Sequence, residues 1–386
     1  MLKFEFHNPT RIIFGKGRIK EAGGYVKEFS QKALLVIGCG SVKRSGVFDT
    51  VKNSLKKHGI KFEVLEGVQS NPVLSKVEEG IDVVREQGLR LVIALGGGSV
   101  MDSAKAIAAG ALLEDGHVWD FFAGKQEITK ALPIVTIPTL AASGSEMNGY
   151  MVITNEKTGH KLATGSPCIY PKTSILDPEA TYTVSRDYTA YGGVDAVCHL
   201  LEPYFNGPYP YTPVQDRLAE GLISTIMETT RGAVESPRDY DSRASLMWAA
   251  TLALCGLTKA GVGEHFFPVH VIEHALSAIF KVPHGAGLAA LLPGWMKWRA
   301  NVQQEKIVQL GVRVLGLSSS ASAEESIEAF KGWLQDIGCP VTLSELGIEA
   351  RDHEQIADNA RFQIDLWGMA PPYTKETVLK ILSYSQ

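Results

Sequence analysis

Short apolar runs punctuate the first half of the chain, ALLVIG (33–38), LVIALGGGS (91–99) and ALPIVTIPT (131–139), while FEVLEGV (62–68) with the turn SNP (70–72) repeats the strand–turn–helix unit. Continuous apolar runs of this length, bounded by turn residues, are the pattern of strands buried on both faces of a parallel sheet. Upstream, Ile12, Ile13 and Phe14 predict a short strand ended by Gly15 and Gly17, and Phe4 and Phe6 alternate with charged neighbours as a strand FEF would. Between the runs the period changes. Val47, Val51 and Leu55 make a stripe through VFDTVKNSLKKHG (47–59), a second helix is predicted from Ser75 to Gly88, and a third contains Asp102 to Ala109. Strands alternating with helices of this length predict an α/β domain whose parallel sheet is covered on both faces.

After LDPEATYTVSRD (176–187) the buried strand runs stop. Helical patterns follow at 189–205, 213–230, 240–259, 268–280, 285–300 and 302–315, and Ser322 with Glu325 forms a capping box that opens a helix over 323–337. The chain therefore reads as an α/β domain over 1–185 and an all-helical domain over 186–386.

Two stretches carry candidate chemistry. Within the helical half, HFFPVHVIEHALSAIFKVPH (265–284) holds four of the ten histidines in an apolar setting. His270 and His274 are one helical turn apart on one face, and His284, just after Pro283, is expected at a helix start. Asp195 and His199 repeat the four-residue spacing in GGVDAVCHLLEPY. One carboxylate and several neutral imidazoles suit a divalent ion such as Zn(II) or Fe(II) with a position left for substrate. Spacing alone favours His270 and His274 as a ligand pair. Alone, Asp195 would read as a cap after Gly192 and Gly193; beside these histidines it reads as a ligand. In the α/β half, Gly96, Gly97, Gly98 and Ser99 follow a buried strand and precede a helix, an arrangement in which backbone N–H groups approach a pyrophosphate closely. It is neither GxGxxG nor a Walker loop. A second small-residue loop, IPTLAASGSE (137–146), offers Thr139, Ser143 and Ser145 to phosphate, ribose or nicotinamide.

Composition narrows the partners. The chain has 386 residues, is 45% hydrophobic and 21% charged, and carries a net charge of −4 without a long basic run, which argues against nucleic acid or an anionic membrane as partner. Five scattered cysteines without a CxxC pair fit a reducing compartment. With no secretory h-region and no apolar run of about 18 residues, a cytoplasmic protein is expected. His265 reads as a surface or packing residue, Cys198 and Cys255 as small buried hydrophobes, and Trp119, Phe121 and Phe122 as core.

Read together, GGGSVMD (96–102), IPTLAASGSE (137–146), GGVDAVCH (192–199) and HVIEHALSAIFKVPHG (270–285) resemble, in order and separation, the iron-containing (type III) alcohol dehydrogenase family. The likeness spans essentially the whole chain. GCGSVKRSG (38–46) and SEMNGYMVITNE (145–156) look most like the NADP-preferring butanol dehydrogenase and aldehyde reductase branch. The resemblance implies a Rossmann-like N-terminal domain plus an all-α C-terminal domain, a fold shared with dehydroquinate synthase. It implies Asp195, His199, His270 and His284 as metal ligands, with His274 outside that shell, near the nicotinamide and taking part in proton transfer. It places Gly97, Gly98, Ser99, Asp102, Asn71, Thr139 and Lys161 at the cofactor. Where NAD-specific relatives carry an aspartate this chain has Gly38, so a 2′-phosphate meets no repulsion and Gly40, Ser41 and Lys43 are placed to receive it; NADP(H) is expected over NAD(H). Two departures stand out: Ser143 replaces the usual threonine of TGSE, and Glu273 stands where a small or apolar residue is more common.

The expected reaction is hydride transfer between NADP(H) and a primary alcohol or aldehyde such as butanol or butanal, by a homodimer or larger homo-oligomer; the FEF strand could pair across a dimer edge. A dehydroquinate synthase-like lyase is the alternative enzyme, but its polyanionic substrate calls for several cations, and 255–284 holds only Lys259 and Lys281. A non-catalytic nucleotide- or metal-binding module would have no need of an intact ligand set.

Overall fold

The computed structural model describes residues 1–208 and 211–386. Contacts divide it into two compact units. One comprises His7–Val184 with Pro237–Thr251; the other comprises Ser185–Ser236 and Leu252–Gln386 with Met1–Phe6.

The first unit contains eight strands: β1 (Arg11–Phe14), β2 (Lys32–Gly38), β3 (Lys61–Val68), β4 (Val92–Gly96), β5 (Ile134–Pro138), β6 (Tyr150–Asn155), β7 (His160–Gly165) and β8 (Thr173–Leu176). Six form a parallel sheet in the order β1-β8-β5-β4-β2-β3, and β6 pairs antiparallel with β7. The helices of this unit include α1 (Ala22–Lys27), α2 (Ser41–Arg44), α3 (Val47–Lys57), α4 (Leu74–Glu86), α5 (Gly98–Gly110) and α6 (Trp119–Phe122). Period-two alternation sends neighbouring strand residues into different cores. Leu34, Val36, Val92, Ala94 and Ile134 pack with Val77 and Ile81 of α4 and Met101 and Ile107 of α5. Leu35, Ile37, Ile93, Leu95 and Val135 pack with Val26 of α1 and Val51 and Leu55 of α3. Both faces are thus dry, which explains why these strands are continuous apolar runs.

The topology also fixes where a ligand can bind. From β2 the chain reaches β3 on one side, then crosses back to β4 on the other side of β2. Strand order therefore reverses between β2 and β4, whose carboxyl ends are Gly38 and Gly96. Open α/β sheets bind ligands at such a reversal.

The second unit is helical: α7 (Arg186–Asn206), α8 (Pro213–Glu235), the end of α9 (Tyr240–Ala253), α10 (Pro268–Phe280), α11 (His284–Arg313), α12 (Ala323–Asp336), α13 (His353–Leu366) and α14 (Lys375–Tyr384). The Ser322–Glu325 capping box opens α12. Most of α9 groups with the α/β unit, where Thr251 Oγ1 donates to the buried Glu146 carboxylate at 2.5 Å.

Two expectations need correction. Residues 1–10 form no strand: the Leu2 N–H donates to the Gly261 carbonyl at 3.0 Å, and Phe4 and Phe6 lie against the positive-φ glycines Gly261 and Gly256. A strand needs a ladder, and FEF has none. The helix expected over 240–259 ends at Ala253, because Gly256 turns left-handed (φ 96°) before a short 3₁₀ turn at Leu257–Lys259. The helices expected at 285–300 and 302–315 are present as two, meeting at a kink where Gln303 leaves helical geometry (φ −134°, ψ 35°).

Candidate active site

In the α/β unit the sheet reversal gathers most of the residues expected at the cofactor. Gly38 ends β2, and Gly40 (φ 97°) turns the chain into α2 at Ser41. Gly97 is the N-cap of α5, with Gly98 and Ser99 in its first turn, where helical N–H groups lack intrahelical partners. Gly98 lets the two loops close together: a Cβ there would lie 2.6 Å from Ser143 Oγ, which would have to turn aside. Thr139 follows β5 and its N–H donates to the Gly96 carbonyl at 3.0 Å, which brings the two loops side by side. Asn71, with a left-handed backbone (φ 56°), accepts a 2.9 Å hydrogen bond from Lys161 Nζ. The β6–β7 hairpin carries Lys161 there, tied to the β3–α4 loop by Thr154 N–H donating to the Pro72 carbonyl at 2.7 Å.

Asp102 is held by two donors, Ser145 Oγ at 2.7 Å and the Val152 N–H at 3.0 Å. Ser145 is therefore a strut for Asp102, and a buried lysine supports it. Lys105 Nζ donates to Ser145 Oγ (2.8 Å), the Asn148 carbonyl (2.9 Å) and side chain (3.1 Å), and the Tyr150 carbonyl (2.7 Å). Burial pushes its pKa down to about 8, against the pull of Asp102 and Glu146. The folded chain then releases this proton before the unfolded chain, so stability rises as pH climbs from about 8 towards 10.5. Denaturant titrations at pH 8 and pH 10 should show a gain of about 2 kcal/mol in the unaltered chain over Lys105→Met. Equal pH slopes would exclude a depressed Lys105.

In the helical unit, three imidazoles meet one carboxylate. Asp195 Oδ1 lies 3.5 Å from His199 Nε2, 3.4 Å from His270 Nε2 and 3.7 Å from His284 Nε2. Asp195 and His199 project from the middle of α7, His270 from the first turn of α10, and His284 opens α11 directly after Pro283. Burial alone would raise the Asp195 carboxyl, but the three imidazoles overcome it and hold it below the usual carboxylate range. Burial also keeps His199 neutral, its pKa lowered to about 3. Around a tetrahedral ion with bonds of about 2.1 Å, neighbouring donors stand about 3.4 Å apart. The separations of the three rings from Asp195 Oδ1 are close to that spacing, the donor atoms of Asp195, His199 and His270 all lie within 4.8 Å of one another while His284 groups with Glu273 and His274, and the donor types suit Zn(II) or Fe(II).

His274 lies beside His284 and Glu273, their donor atoms within 4.8 Å of one another. Its Nδ1–H donates to Gln363 Oε1 of α13 at 3.1 Å, so although it shares a helix with His270, it is not among the groups around Asp195 Oδ1. Pairing by helical spacing alone is thus corrected by the orientation of the rings.

Two carboxylates back this cluster: Glu202, not singled out in the sequence, and Glu273, which stood out there only as a departure without a role. Glu202, fully buried on α7, receives His270 Nδ1–H and the Val269 N–H (2.6 Å). Glu273, also fully buried, is hydrogen-bonded to His284 Nδ1. A signal existed for the first: a carboxylate inside the apolar run LLEPYF, three residues past His199.

The family model described as iron-containing alcohol dehydrogenase matches residues 9–178, and the one described as Fe-containing alcohol dehydrogenase family, C-terminal, matches residues 189–385. The chain belongs to the iron-containing alcohol dehydrogenase family, and its activity is that of an alcohol dehydrogenase and aldehyde reductase with a nicotinamide cofactor. Among its relatives, the NADH-dependent butanol dehydrogenase A of Clostridium acetobutylicum is 39% identical over 100% of both chains. The NADPH-dependent aldehyde reductase YqhD of Escherichia coli is 36% identical over 90% of each. The crystal structure of NADH-dependent butanol dehydrogenase A from Thermotoga maritima superposes with a TM-score of 0.94 at 43% identity, covering 100% of this chain and 99% of that one. No helix among the described residues is long and apolar enough to cross a membrane.

Proposed function

We propose that this chain interconverts primary alcohols and aldehydes, butanol and butanal among them, with Asp195, His199, His270 and His284 holding Fe(II) or Zn(II). The convergence of three Nε2 atoms on Asp195 Oδ1 carries this reading. When bound, the metal supplies a Lewis acid for the substrate oxygen and the nicotinamide supplies or accepts hydride. The protein's part is orientation and proton handling. Asp195 contributes the one charged ligand, and Glu202 and Glu273 fix the rings of His270 and His284. His274, with its proton on Nδ1 facing Gln363, is the group we assign to proton exchange. Gly97, Gly98 and Ser99 cradle the pyrophosphate, Asp102 is held rigid for the nicotinamide, and Asn71, Thr139 and Lys161 complete the cofactor set.

We assign the preference to NADP(H), because Gly38 puts no carboxylate where the adenine ribose would lie and Gly40 and Ser41 open a turn beside it. A second reading has its own support: Lys43 forms an ion pair with Glu66, so a 2′-phosphate must displace a carboxylate to use that ammonium, which favours NADH. The test is oxidation of NADPH and of NADH with butanal by protein stripped of metal and reloaded with Fe(II) or Zn(II). Metal-dependent turnover with a higher kcat/KM for NADPH is expected. Gly38→Asp should then cut the NADPH-to-NADH ratio of kcat/KM about 100-fold, roughly 3 kcal/mol of charge repulsion. A ratio already in favour of NADH, unmoved by Gly38→Asp, would remove the argument from Gly38.

A further inference from the structure

Resting on the ligand set proposed above, we propose that Glu273 is the positioning residue that aims His284, and that it governs how tightly this chain retains its metal. The three histidines are held unequally. His199 and His270 stand within helices with their rings stacked at a centroid distance of 4.6 Å, and His270 is also fixed by Glu202. His284 is the first residue of α11, beyond a turn in which Lys281 adopts φ 57°, and 28% of its side chain is exposed against 7% and 9% for the other two. A helix-terminal ring has the most freedom to turn away, and the Glu273 carboxylate at Nδ1 opposes that rotation.

The sequence makes room for this carboxylate. Gly287, three residues after His284 on α11, lies against it: a Cβ at Gly287 would stand 2.9 Å from Glu273 Cγ and 3.1 Å from Oε1. A fully buried glutamate is costly unless paired, and here its partner is the His284 ring. A carboxylate accepting from Nδ1–H fixes the tautomer, directs the Nε2 lone pair at the metal and raises the basicity of the ring; loss of such a partner typically weakens metal binding 10–100-fold.

The full-length protein is stripped of metal and titrated with Zn(II) against a chromophoric chelator, and separately with Co(II) while visible absorption is recorded. Glu273→Gln, which keeps an acceptor oxygen but not the charge, should bind Zn(II) about 10-fold more weakly with the Co(II) bands little altered. Glu273→Leu should lose about 100-fold and change the Co(II) bands as His284 swings out. Gly287→Ala, which crowds the carboxylate, should weaken Zn(II) binding in the unaltered chain and add little in Glu273→Leu, because the two act through one contact. Zn(II) affinity and Co(II) spectra unchanged in Glu273→Leu, or in both Glu273→Gln and Gly287→Ala should Glu273→Leu not fold, would overturn the role of Glu273 while leaving the ligand set standing. If Asp195→Asn binds Zn(II) as tightly as the unaltered chain, the ligand set itself fails and this role fails with it.

Discussion

With butanal and reduced cofactor, Asp195→Asn is expected to turn over about 10³-fold more slowly than the unaltered chain and to retain no stoichiometric metal. Asp195 is the one charged member of a four-donor set and is 4% exposed, so water cannot replace its charge. An asparagine oxygen at the same place keeps the shape but gives a divalent ion three neutral rings and a neutral amide. A bound metal acting as Lewis acid supplies several kcal/mol of transition-state stabilisation, and at 1.36 kcal/mol per factor of ten, about 4 kcal/mol corresponds to 10³. The metal-free variant should melt below the metal-free parent at neutral pH, because the imidazoles hold the Asp195 carboxyl below its ordinary range and its charged form therefore stabilises the fold. Metal analysis of the purified protein, steady-state kinetics and calorimetry decide it. Full metal content with turnover within tenfold of the parent would remove Asp195 from the ligand set.

How much of this was legible depended on whether a residue's partner lay nearby in sequence. The runs at 33–38, 91–99 and 131–139 announced β2, β4 and β5 because each is buried on both faces, and the glycines closing the first two are the sheet reversal itself. The four-residue strand β8 left no such trace: its TSIL is too short to stand out, and it becomes a strand only by pairing with β1 and β5. The hairpin was readable in principle. YMVITN alternates buried and more exposed positions as a strand with one dry face should, and Gly159 (φ 68°) helps turn it. Among the candidate ligands, helical spacing set Asp195 beside His199 at 3.5 Å, whereas His270 turns its Nδ1 to Glu202 and His274 turns its own to Gln363. Two rings on one face of a helix still have χ angles, and those were set by Glu202 and Gln363, which are 68 and 89 residues away. Lys105 was hidden for the same reason: its four acceptors lie between Ser145 and Tyr150, in the loop after β5 and at the start of β6, and nothing local distinguishes it from a lysine on the wet face of a helix.

Gly285→Ala should both destabilise the fold and impair the site, against what local propensity would suggest. Gly285 is the second residue of α11, and alanine is the better helix former by about 1 kcal/mol, so propensity alone predicts a more stable protein. Packing decides otherwise. A Cβ at Gly285 would lie 2.3 Å from the Tyr191 carbonyl oxygen and 2.6 Å from Tyr191 Cβ, on the turn of α7 immediately before Asp195. Backbone cannot rotate aside as a side chain can, so α11 must move off α7 by about 1 Å to restore ordinary contact near 3.5 Å. Overpacking of this kind costs about 2–3 kcal/mol, which outweighs the propensity gain. The same displacement carries His284, one residue away, off Asp195, where the Nε2–Oδ1 separation is 3.7 Å. A misplacement of about 1 Å in a reacting constellation costs about 100-fold in rate. Thermal melts should therefore fall by several degrees, and kcat with butanal should drop about 100-fold at saturating cofactor. A variant that melts higher than the parent and keeps its metal would show that the helices close on Gly285 less tightly than 2.3 Å implies, and that the glycine after His284 serves the turn rather than the contact.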